Sequence, residues 1–541
     1  MLNGMPGIVI NRFAMRGGPR NYRIRLLIMG WTLFSAGAHG QLAQNVTLGN
    51  AKAIALANAV TADPPGIDAI HFNPAGLALL ANRQLQLKLV TGHYVIRDQV
   101  TRTPLLESLL AETEFEETLQ PGATETSNTS AMLPFFGLTE LPGLFATLGG
   151  VSVTSRDQQY TFATAVYSNQ MVGFKRQENS IARYQGNELG FTHLTYFSPS
   201  FAMNLNEHWS VGVALVASYT GVGLDLDMRV TNEFLAAVEE LGRFGCDQDQ
   251  PRPIWNGVIN LCEGKFGPFA PIGNLYFEAE DNFNPSLNFG ILWQPTTWFS
   301  WGMVYQTEAE TTLQGNYEFQ YVSGWVDFFQ GVNQSLIGSI ISPILPQGIA
   351  SEKGAMELDY VIPAHFSTGI SLRVLPEWKL NFDVKWTDTA AWEKFNLRFS
   401  EPLDFLPILS FVSDNVTDTS LAFPLNYEST WSWALGVEYQ YTDQLALRVG
   451  YEDRPSAASE DSSNLLIPIG DASLVGIGAS YVAAELGEFD IAFGWLYSKT
   501  ESNASRDRLT DSNEFYNPYA GYDLESEVNS YLLEFSYRGQ F

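Results

Sequence analysis

The chain has 541 residues, of which 45% are hydrophobic, 13% aromatic and 16% charged, and this hydrophobic share excludes global disorder. Its 59 acidic and 30 basic residues give a net charge of −29, which makes nucleic acid a poor partner. A mean hydropathy of −0.05 is too low for a polytopic helical membrane protein. Few charges, many aromatic residues and neutral hydropathy together are typical of a transmembrane β-barrel, whose strands alternate apolar and polar residues.

The start of the chain has the composition of a secretory signal peptide. An arginine-rich stretch is followed by the apolar run Leu26–Phe34 and by the small residues Ser35–Ala38. The apolar run is too short to span a bilayer. We therefore assign residues 1–40 to a cleaved signal peptide, which we favour over an N-terminal anchor.

Alternating strands follow along the rest of the chain. Between Trp378 and Trp386, every second residue is apolar or aromatic and the residues between them are polar. Aromatic residues at both ends of such a face match the two girdles of a membrane barrel. The pattern recurs in fourteen segments: 83–97, 143–154, 159–172, 188–204, 208–226, 284–294, 298–320, 354–374, 377–397, 427–441, 445–453, 473–484, 489–500 and 527–541.

An even strand number allows an antiparallel barrel to close within one chain. Short turns alternate with long loops near 98–142, 173–187, 227–283, 321–353, 398–426, 454–472 and 501–526. The sequence thus predicts an all-β fold, a 14-stranded antiparallel transmembrane β-barrel over residues 81–541. We expect it in the bacterial outer membrane, with both termini in the periplasm.

The last strand predicts two kinds of partner. Tyr531, Leu533, Phe535, Tyr537 and Phe541 share one face. A terminal aromatic residue on such a strand resembles the signal read by the outer-membrane assembly machinery. We expect that partner, and also outer-membrane lipids and lipopolysaccharide around the wall. The alternative, a soluble edge strand, would expose an aggregation-prone edge.

Residues 49–80 read GNAKAIALANAVTADPPGIDAIHFNPAGLALL, and their Asn73-Pro74-Ala75-Gly76-Leu77 matches an Asn-Pro-Ala signature. Together with 198–215, 287–308, 362–395, 450–455 and 467–481, this segment resembles the FadL family of outer-membrane channels for hydrophobic compounds. The resemblance implies a fourteen-stranded barrel with an N-terminal helical plug inside the lumen. It also implies a hydrophobic small-molecule ligand, either a long-chain fatty acid or an aromatic hydrocarbon. Loops 98–142, 227–283 and 321–353 do not align with the family.

We assign the plug to residues 41–80. Asn50–Ala62 is alanine-rich and helix-prone, and Asp63-Pro64-Pro65 ends it. A 14-stranded lumen is too wide for inward side chains to fill, so some segment must block it. The plug motif is Asn73, Pro74, Ala75 and Gly76, in which the Asn73 amide can cap backbone groups at the proline break. The alternative is a periplasmic extension outside the barrel.

Two long loops carry apolar stripes at helical spacing. A stripe on an outer loop indicates either a ligand-binding groove or a helix packed on the barrel rim, and the two are compatible. We predict that the stripes face each other in a hydrophobic capture cleft. Its residues in loop 321–353 are Trp325, Phe328, Phe329, Val332, Leu336 and Ile340, and those in loop 227–283 are Phe234, Leu235 and Val238.

Alternation places four cations, Lys88, Lys379, Lys385 and Arg448, on the lumen face, and Lys88, Lys385 and Arg448 are the candidates for binding a ligand carboxylate. A fatty-acid carboxylate in a low-dielectric lumen would need such a partner. For any single cation we favour the alternative, pairing with an inward acid such as Asp383, Glu438 or Glu452.

Cys246 and Cys262 are expected to form a disulfide, because thiols rarely stay free in an oxidising compartment. No catalytic, cofactor or metal motif stands out, so we predict a passive transporter that needs neither metal nor cofactor. The alternative is an outer-membrane lipid hydrolase or lipid-binding barrel, with His193 and His93 as its strand-borne histidines. A general porin fits poorly, because it would not keep a plug.

Overall fold

The structure is a computed structural model. It describes residues 50–541 apart from 114, 230, 232, 248–249, 253–256, 265–266, 411–412, 414, 459–463, 469 and 503–516. The predicted signal peptide, residues 1–40, and residues 41–49 of the predicted plug lie outside the described residues.

Fourteen antiparallel strands form a closed barrel, as predicted. They are β1 Arg83–Arg102, β2 Leu144–Thr154, β3 Tyr160–Lys175, β4 Glu188–Phe197 with Ser200–Asn204, β5 Trp209–Arg229, β6 Pro271–Thr296, β7 Phe299–Gln306 with Ala309–Tyr321, β8 Ser351–Ile362 with His365–Leu375, β9 Trp378–Thr387 with Lys394–Phe399, β10 Thr430–Gln440, β11 Leu445–Arg454, β12 Asp471–Ala483, β13 Gly487–Ser502 and β14 Tyr522–Gln540. Each strand pairs with the next along the chain, and the last strand pairs with β1 from Gln84↔Gln540 to Arg102↔Tyr522.

The alternation seen in the sequence sets the two faces of the wall. On β9, Trp378 and Phe382 are exposed on the outer face, whereas Asn381, Asp383 and Lys385 are buried on the inner face. An apolar outer face and a polar interior are the arrangement of a membrane barrel. The wall therefore places polar groups in the lumen, where they can hold the N-terminal segment.

Shorter elements lie at the N-terminus and in the loops. The helices are α1 Ala51–Ala55, α2 Ala69–Phe72, α3 Pro104–Glu112, α4 Glu233–Gly245, α5 Ser323–Asn333, α6 Leu336–Ile341 and α7 Leu406–Leu409, with 3₁₀ turns Gly66–Asp68, Pro74–Leu79, Arg183–Gln185, Ser342–Ile344 and Thr389–Ala391. Additional strands are Gly122–Thr126, Asn128–Leu133, Gly137–Leu141, Cys246–Asp247, Gln250–Pro251, Val416–Thr417 and Ser420–Pro424. Within the described residues, no helix is long and apolar enough to cross a membrane.

Several predicted loops contain regular structure, and two of them contain β-structure that changes the picture of the outer wall. β6 begins at Pro271, not near residue 284, because Leu275, Phe277 and Ala279 alternate with polar residues and continue its inner face beyond the membrane band. Loop 98–142 contains a β-hairpin, Asn128–Leu133 and Gly137–Leu141, which we call the outer hairpin. Its polar and mixed residues do not alternate, so periodicity did not reveal it.

The disulfide between Cys246 and Cys262 is present, as predicted, and closes a loop with a sequence separation of 16. It lies in the connection between α4 and β6. Backbone atoms of this connection hold α6, because the Leu336 and Ile337 amides donate to Gly257 and Val258 carbonyls at 3.3 and 2.9 Å. The disulfide thus constrains one wall of the predicted capture cleft.

Candidate functional site

Residues 50–80 are buried almost throughout and contact inner faces of strands all round the ring. Glycines mark the closest approaches, since a Cβ atom added there would overlap this segment. At Gly476 of β12 it would lie 1.8 Å from the Ile54 carbonyl oxygen, and at Gly302 of β7 it would lie 2.2 Å from the Thr61 carbonyl oxygen. The small side chains of α1 allow this approach.

The Asn73 side chain joins the two halves of the segment to the barrel. Its Nδ2 donates to the carbonyls of Thr61 and Ile291 at 2.9 and 3.0 Å, and its Oδ1 accepts the Ala75 amide at 3.1 Å. The amide therefore caps the turn that begins at Pro74, as its chemistry predicts. A Cβ atom at Gly76 would lie 2.2 Å from Pro64 Cγ, so a side chain there would separate the two proline turns.

Inward polar residues of the barrel pair with the backbone of the segment. Asp383 Oδ2 accepts the amides of Val60 and Thr61, both at 2.8 Å. Asn381 donates to the Ala59 carbonyl at 3.0 Å and Ser300 to the Ala62 carbonyl at 2.8 Å. Buried backbone groups that lack a helix partner are thereby satisfied by the wall.

Ion pairs extend this attachment at one end of the segment. Asp63 contacts Lys52 and Lys379 at 2.8 and 2.9 Å, and Lys379 also contacts Glu438 at 3.0 Å. Burial alone would raise the pKa of Asp63, but Lys379 and Lys52 outweigh it and hold that pKa well below its ordinary value. The carboxylate thus stays charged within this cluster.

The three candidates for binding a ligand carboxylate are each buried and paired with an acid. Lys385 contacts Glu452 at 2.5 Å, and Lys88 contacts Asp68 of the N-terminal segment at 2.7 Å. Arg448 contacts Glu438 at 2.7 Å. A ligand carboxylate would have to displace a protein carboxylate to reach any of them, so the geometry agrees with the pairing alternative.

His71 lies in an aromatic environment beside this polar network. Its ring lies 5.5 Å from the Tyr167 ring, and Gln306 donates to its carbonyl at 2.8 Å. Burial, reinforced by the positive charge of Lys88, lowers the pKa of His71 to about 3. Its ring is therefore neutral at physiological pH.

The predicted capture residues divide into a buried and an exposed group. Trp325, Phe328, Phe329 and Val332 of α5 are buried in one hydrophobic cluster with Leu235. Val238 packs against that cluster. Leu336 and Ile340 of α6 are instead 61% and 70% exposed. The α5 stripe thus forms the packed roof of the barrel, whereas α6 presents its apolar residues to solvent.

The Phe234 side chain lies outside the described residues. Leu241, which continues the predicted stripe of loop 227–283, is exposed. Phe244, further along α4, is an exposed apolar residue that the sequence prediction did not include. Its position three residues after Leu241 is the signal that could have found it.

Sequence reasoning also missed the acid at the centre of the N-terminal segment. Asp68 is buried and accepts from Asn50 and Gln86 at 2.7 Å each, in addition to its contact with Lys88. An acid within an alanine-rich buried stretch was the available signal, because a buried charge needs partners. No group of three or more His, Cys, Asp or Glu residues in the described ranges could hold a metal ion.

A closed 14-stranded barrel with an apolar outer wall and a polar interior is an integral outer-membrane protein. Residues 31–541 match the family described as outer membrane protein transport protein (OMPP1/FadL/TodX), and the chain belongs to that family. It is a transport protein of the outer membrane.

Individual relatives are distant. The chain is 21% identical over 386 residues to the long-chain fatty acid transport protein of Escherichia coli O6:H1, covering 70% of this chain and 73% of that relative. A Pseudomonas aeruginosa FadL homologue superposes with a TM-score of 0.61 at 15% identity, covering 91% of this chain and 99% of the other. The Pseudomonas putida toluene transporter TodX gives 0.58 at 14% identity, covering 91% and 98%. These structural likenesses show the fold.

Proposed function

We propose that this protein carries hydrophobic small molecules, long-chain fatty acids or aromatic hydrocarbons, passively across the outer membrane. The observation that carries the proposal is the pairing of an apolar surface on the outer loops with a lumen occupied by residues 50–80. Relatives are named for long-chain fatty acids and for toluene, which supports both ligand classes. The family consists of transporters and channels, and we infer no enzymatic activity.

Residues 41–80 act as the plug in this proposal. The Asn73 contacts, the Asp383 anchor and the Asp63 ion pairs hold the segment across the lumen. The pairing of its backbone groups with inward side chains lets the segment stay inside the lumen, where we propose that it blocks water and ions. We further propose that residues 1–40 are removed on export, so that the mature N-terminus lies with the plug on the periplasmic side.

The capture surface is proposed on the outer loops. Exposed Leu336 and Ile340 of α6, together with Leu241 and Phe244 of α4, present apolar area that a hydrophobic ligand would cover. The buried α5 residues Trp325, Phe328, Phe329 and Val332, with Leu235 and Val238, support this surface from below.

The engaged lumen cations favour a neutral ligand over a carboxylate. If Lys88, Lys385 or Arg448 bound a fatty-acid carboxylate, an existing ion pair would first have to open, at a cost that the ligand charge would need to offset. Lys88 instead holds the plug through Asp68, and Lys385 pairs with Glu452, which accepts a hydrogen bond from Asn58 of the plug at 2.9 Å. Competition between a labelled aromatic hydrocarbon and a long-chain fatty acid for the purified protein separates the two ligand classes.

The alternative function, a lipid hydrolase or lipid-binding barrel, has little support from the histidines. His193 faces the lumen and its Nδ1 lies 2.9 Å from Thr220 Oγ1, whereas His93 pairs with Tyr531 on the exposed outer face. The two rings are thus on opposite sides of the wall. Hydrolysis of a chromogenic ester by purified protein would revive this reading, and absence of turnover supports the transporter.

Both termini are proposed to lie in the periplasm, with Phe541 at the end of β14 recognised by the assembly machinery. The strand reaches Gln540 and pairs with β1, so its aromatic outer residues Tyr531, Phe535 and Tyr537 face lipid. Truncation of Phe541 should reduce the amount of folded barrel in the outer membrane without changing its thermal stability once it has folded.

A further inference from the structure

The outer hairpin starts at the edge of β3, where Asn128 and Thr129 pair with Lys175 and Phe174, and its turn end lies on the outside of the barrel wall. Gly212 of β5 approaches Pro74 and so faces the lumen. Gly221 and Gly223 follow it by odd numbers of residues on an uninterrupted strand, and they therefore face outward. A Cβ atom added to Gly221 would lie 2.8 Å from Met132 Cγ, and one added to Gly223 would lie 2.9 Å from Leu138 Cβ. Met132 and Leu138 belong to the two strands of the hairpin.

The hairpin follows a single line of paired residues across four strands. Gly173, Gly190 and Gly223 are successive partners in the register of β3, β4 and β5, and Gly223 pairs with Glu278 of β6. A Cβ atom at Gly173 would lie 2.4 Å from the Ser130 carbonyl oxygen, and one at Gly190 would lie 2.5 Å from Leu138 Cδ1. The absence of side chains along this line leaves a seat that the hairpin fills.

A polar contact fixes the far end of the hairpin. The Leu138 amide donates to Glu278 Oε1 at 2.8 Å. Beyond it, the turn presents Phe135 and Phe136, which are 95% and 79% exposed. Among the large hydrophobic residues of the described ranges, Phe135 has the highest exposed fraction.

The level of the turn on the wall indicates what covers these rings. On the outer face of β5 and β6, Leu215 and Phe289 are exposed apolar residues of the lipid-facing band. The same face continues toward the loops with Glu280 and Glu278. The hairpin thus lies where the apolar band gives way to polar residues, which is the level at which membrane proteins concentrate aromatic side chains.

We propose that the outer hairpin is a membrane-interface anchor whose Phe135 and Phe136 side chains insert into the outer-leaflet lipid beside β6. The apolar outer face of β5 and β6 begins directly below this polar edge, so lipid acyl chains at the boundary are the occupant that the position favours. The glycine seat holds the hairpin against the wall, and the Glu278 contact sets the position of its turn.

Single-cysteine labelling tests the anchor, because both native cysteines are tied in a disulfide. Phe135→Cys and Phe136→Cys are labelled with an environment-sensitive fluorophore in phosphatidylcholine vesicles containing nitroxide phospholipids. Phe289→Cys is the lipid-exposed reference, and Gln320→Cys, on the outer face of β7, is the water-exposed reference. We expect the loss of fluorescence at 135 and 136 to match that at 289.

If aqueous iodide quenches the labels at 135 and 136 as strongly as the label at 320, the proposal is overturned. Disulfide-linked dimers of Phe135→Cys in dilute vesicles would also overturn it, in favour of a second copy as occupant. Gly223→Val in the Phe135→Cys background should displace Leu138 and shift the label toward iodide quenching. Heat-modifiable gel mobility of every variant confirms that the barrel is folded.

Discussion

Asn73 occupies the space that a side chain at Gly290 would need: a Cβ atom added to Gly290 would lie 2.1 Å from Asn73 Oδ1. That added Cβ atom would also lie 2.8 Å from both Pro74 Cδ and the Ala75 amide nitrogen. Two residues far apart in sequence are thus mutually dependent. The plug motif can bind the wall because β6 has a glycine at that level.

Gly290→Val should therefore loosen the plug without unfolding the barrel. The valine side chain would displace Asn73 and break its bonds to Thr61 and Ile291, which together contribute about 2 kcal/mol. We expect higher ion conductance in planar bilayers. Gly122→Val is the control, since a Cβ atom at Gly122 meets nothing within 4 Å. A Gly290→Val variant as closed as the wild type would contradict the role of this contact.

Asp383→Asn should weaken the plug through its backbone. Asp383 Oδ2 accepts two amides, and bonds to a charged acceptor contribute about 1.5–3 kcal/mol each. The asparagine side chain keeps the shape of the aspartate but loses its negative charge. Proteolysis of residues 50–80 should therefore become faster. Asp453→Asn, the neighbour of inward Glu452 on the opposite face of β11, is the control. Equal cleavage rates for the two variants would show that Asp383 does not hold the segment.

Acid should open the plug through His71. The pKa of His71 falls to about 3 in the folded protein, chiefly through burial, against an ordinary value of 6.5. The neutral ring therefore contributes stability in full above pH 6.5, and this contribution is lost as pH falls from 6.5 toward 3. At pH ~5 the loss is about 2 kcal/mol.

Among the charged or titratable groups near the His71 ring, Lys88 and His193 disfavour its protonation, and His365 is close enough to interact with it electrostatically. Conductance measured between pH 7 and pH ~4.5 should rise in the wild type, and the rise should shrink in His71→Gln. If both proteins respond identically to acid, other groups control the opening.

Removing the disulfide should affect the capture loops and spare the barrel. In the chain-entropy model a ring of this size contributes about 3 kcal/mol to the local stability of the connection between α4 and β6. Cys246→Ser with Cys262→Ser frees the segment that holds α6 through Gly257 and Val258. Hydrogen exchange of Leu336–Ile341 should become faster and hydrocarbon affinity should fall, while the thermal transition of the barrel stays unchanged. Unaltered exchange in α6 would contradict this coupling.

The barrel could be predicted from sequence because its signal is local. Strands such as β9 alternate between Trp378, Phe382 and inward Asp383, and fourteen such patterns close a ring. The pairing of Lys385 with Glu452 was also within reach, since parity placed both residues in the lumen. Strand register, however, depends on neighbours distant in sequence, so the glycine line under the outer hairpin could not be read from periodicity.

Burial of the loop residues was harder to predict from sequence, for a different physical reason. An apolar stripe has the same spacing whether it is buried or exposed, so Trp325 and Ile340 looked alike although one is buried and the other is not. Asp68 was missed because its three partners come from the segment itself and from β1. Such contacts are decided by packing in three dimensions.

The most direct test of the account compares two solutes in the same cells. Initial uptake of a labelled neutral hydrocarbon and of a small labelled hydrophilic solute would be measured in cells with and without this protein. We predict faster hydrocarbon uptake and unchanged uptake of the hydrophilic solute, because the plug closes the aqueous path. Unchanged hydrocarbon uptake, or an equal increase for both solutes, would contradict a plugged transporter of hydrophobic molecules.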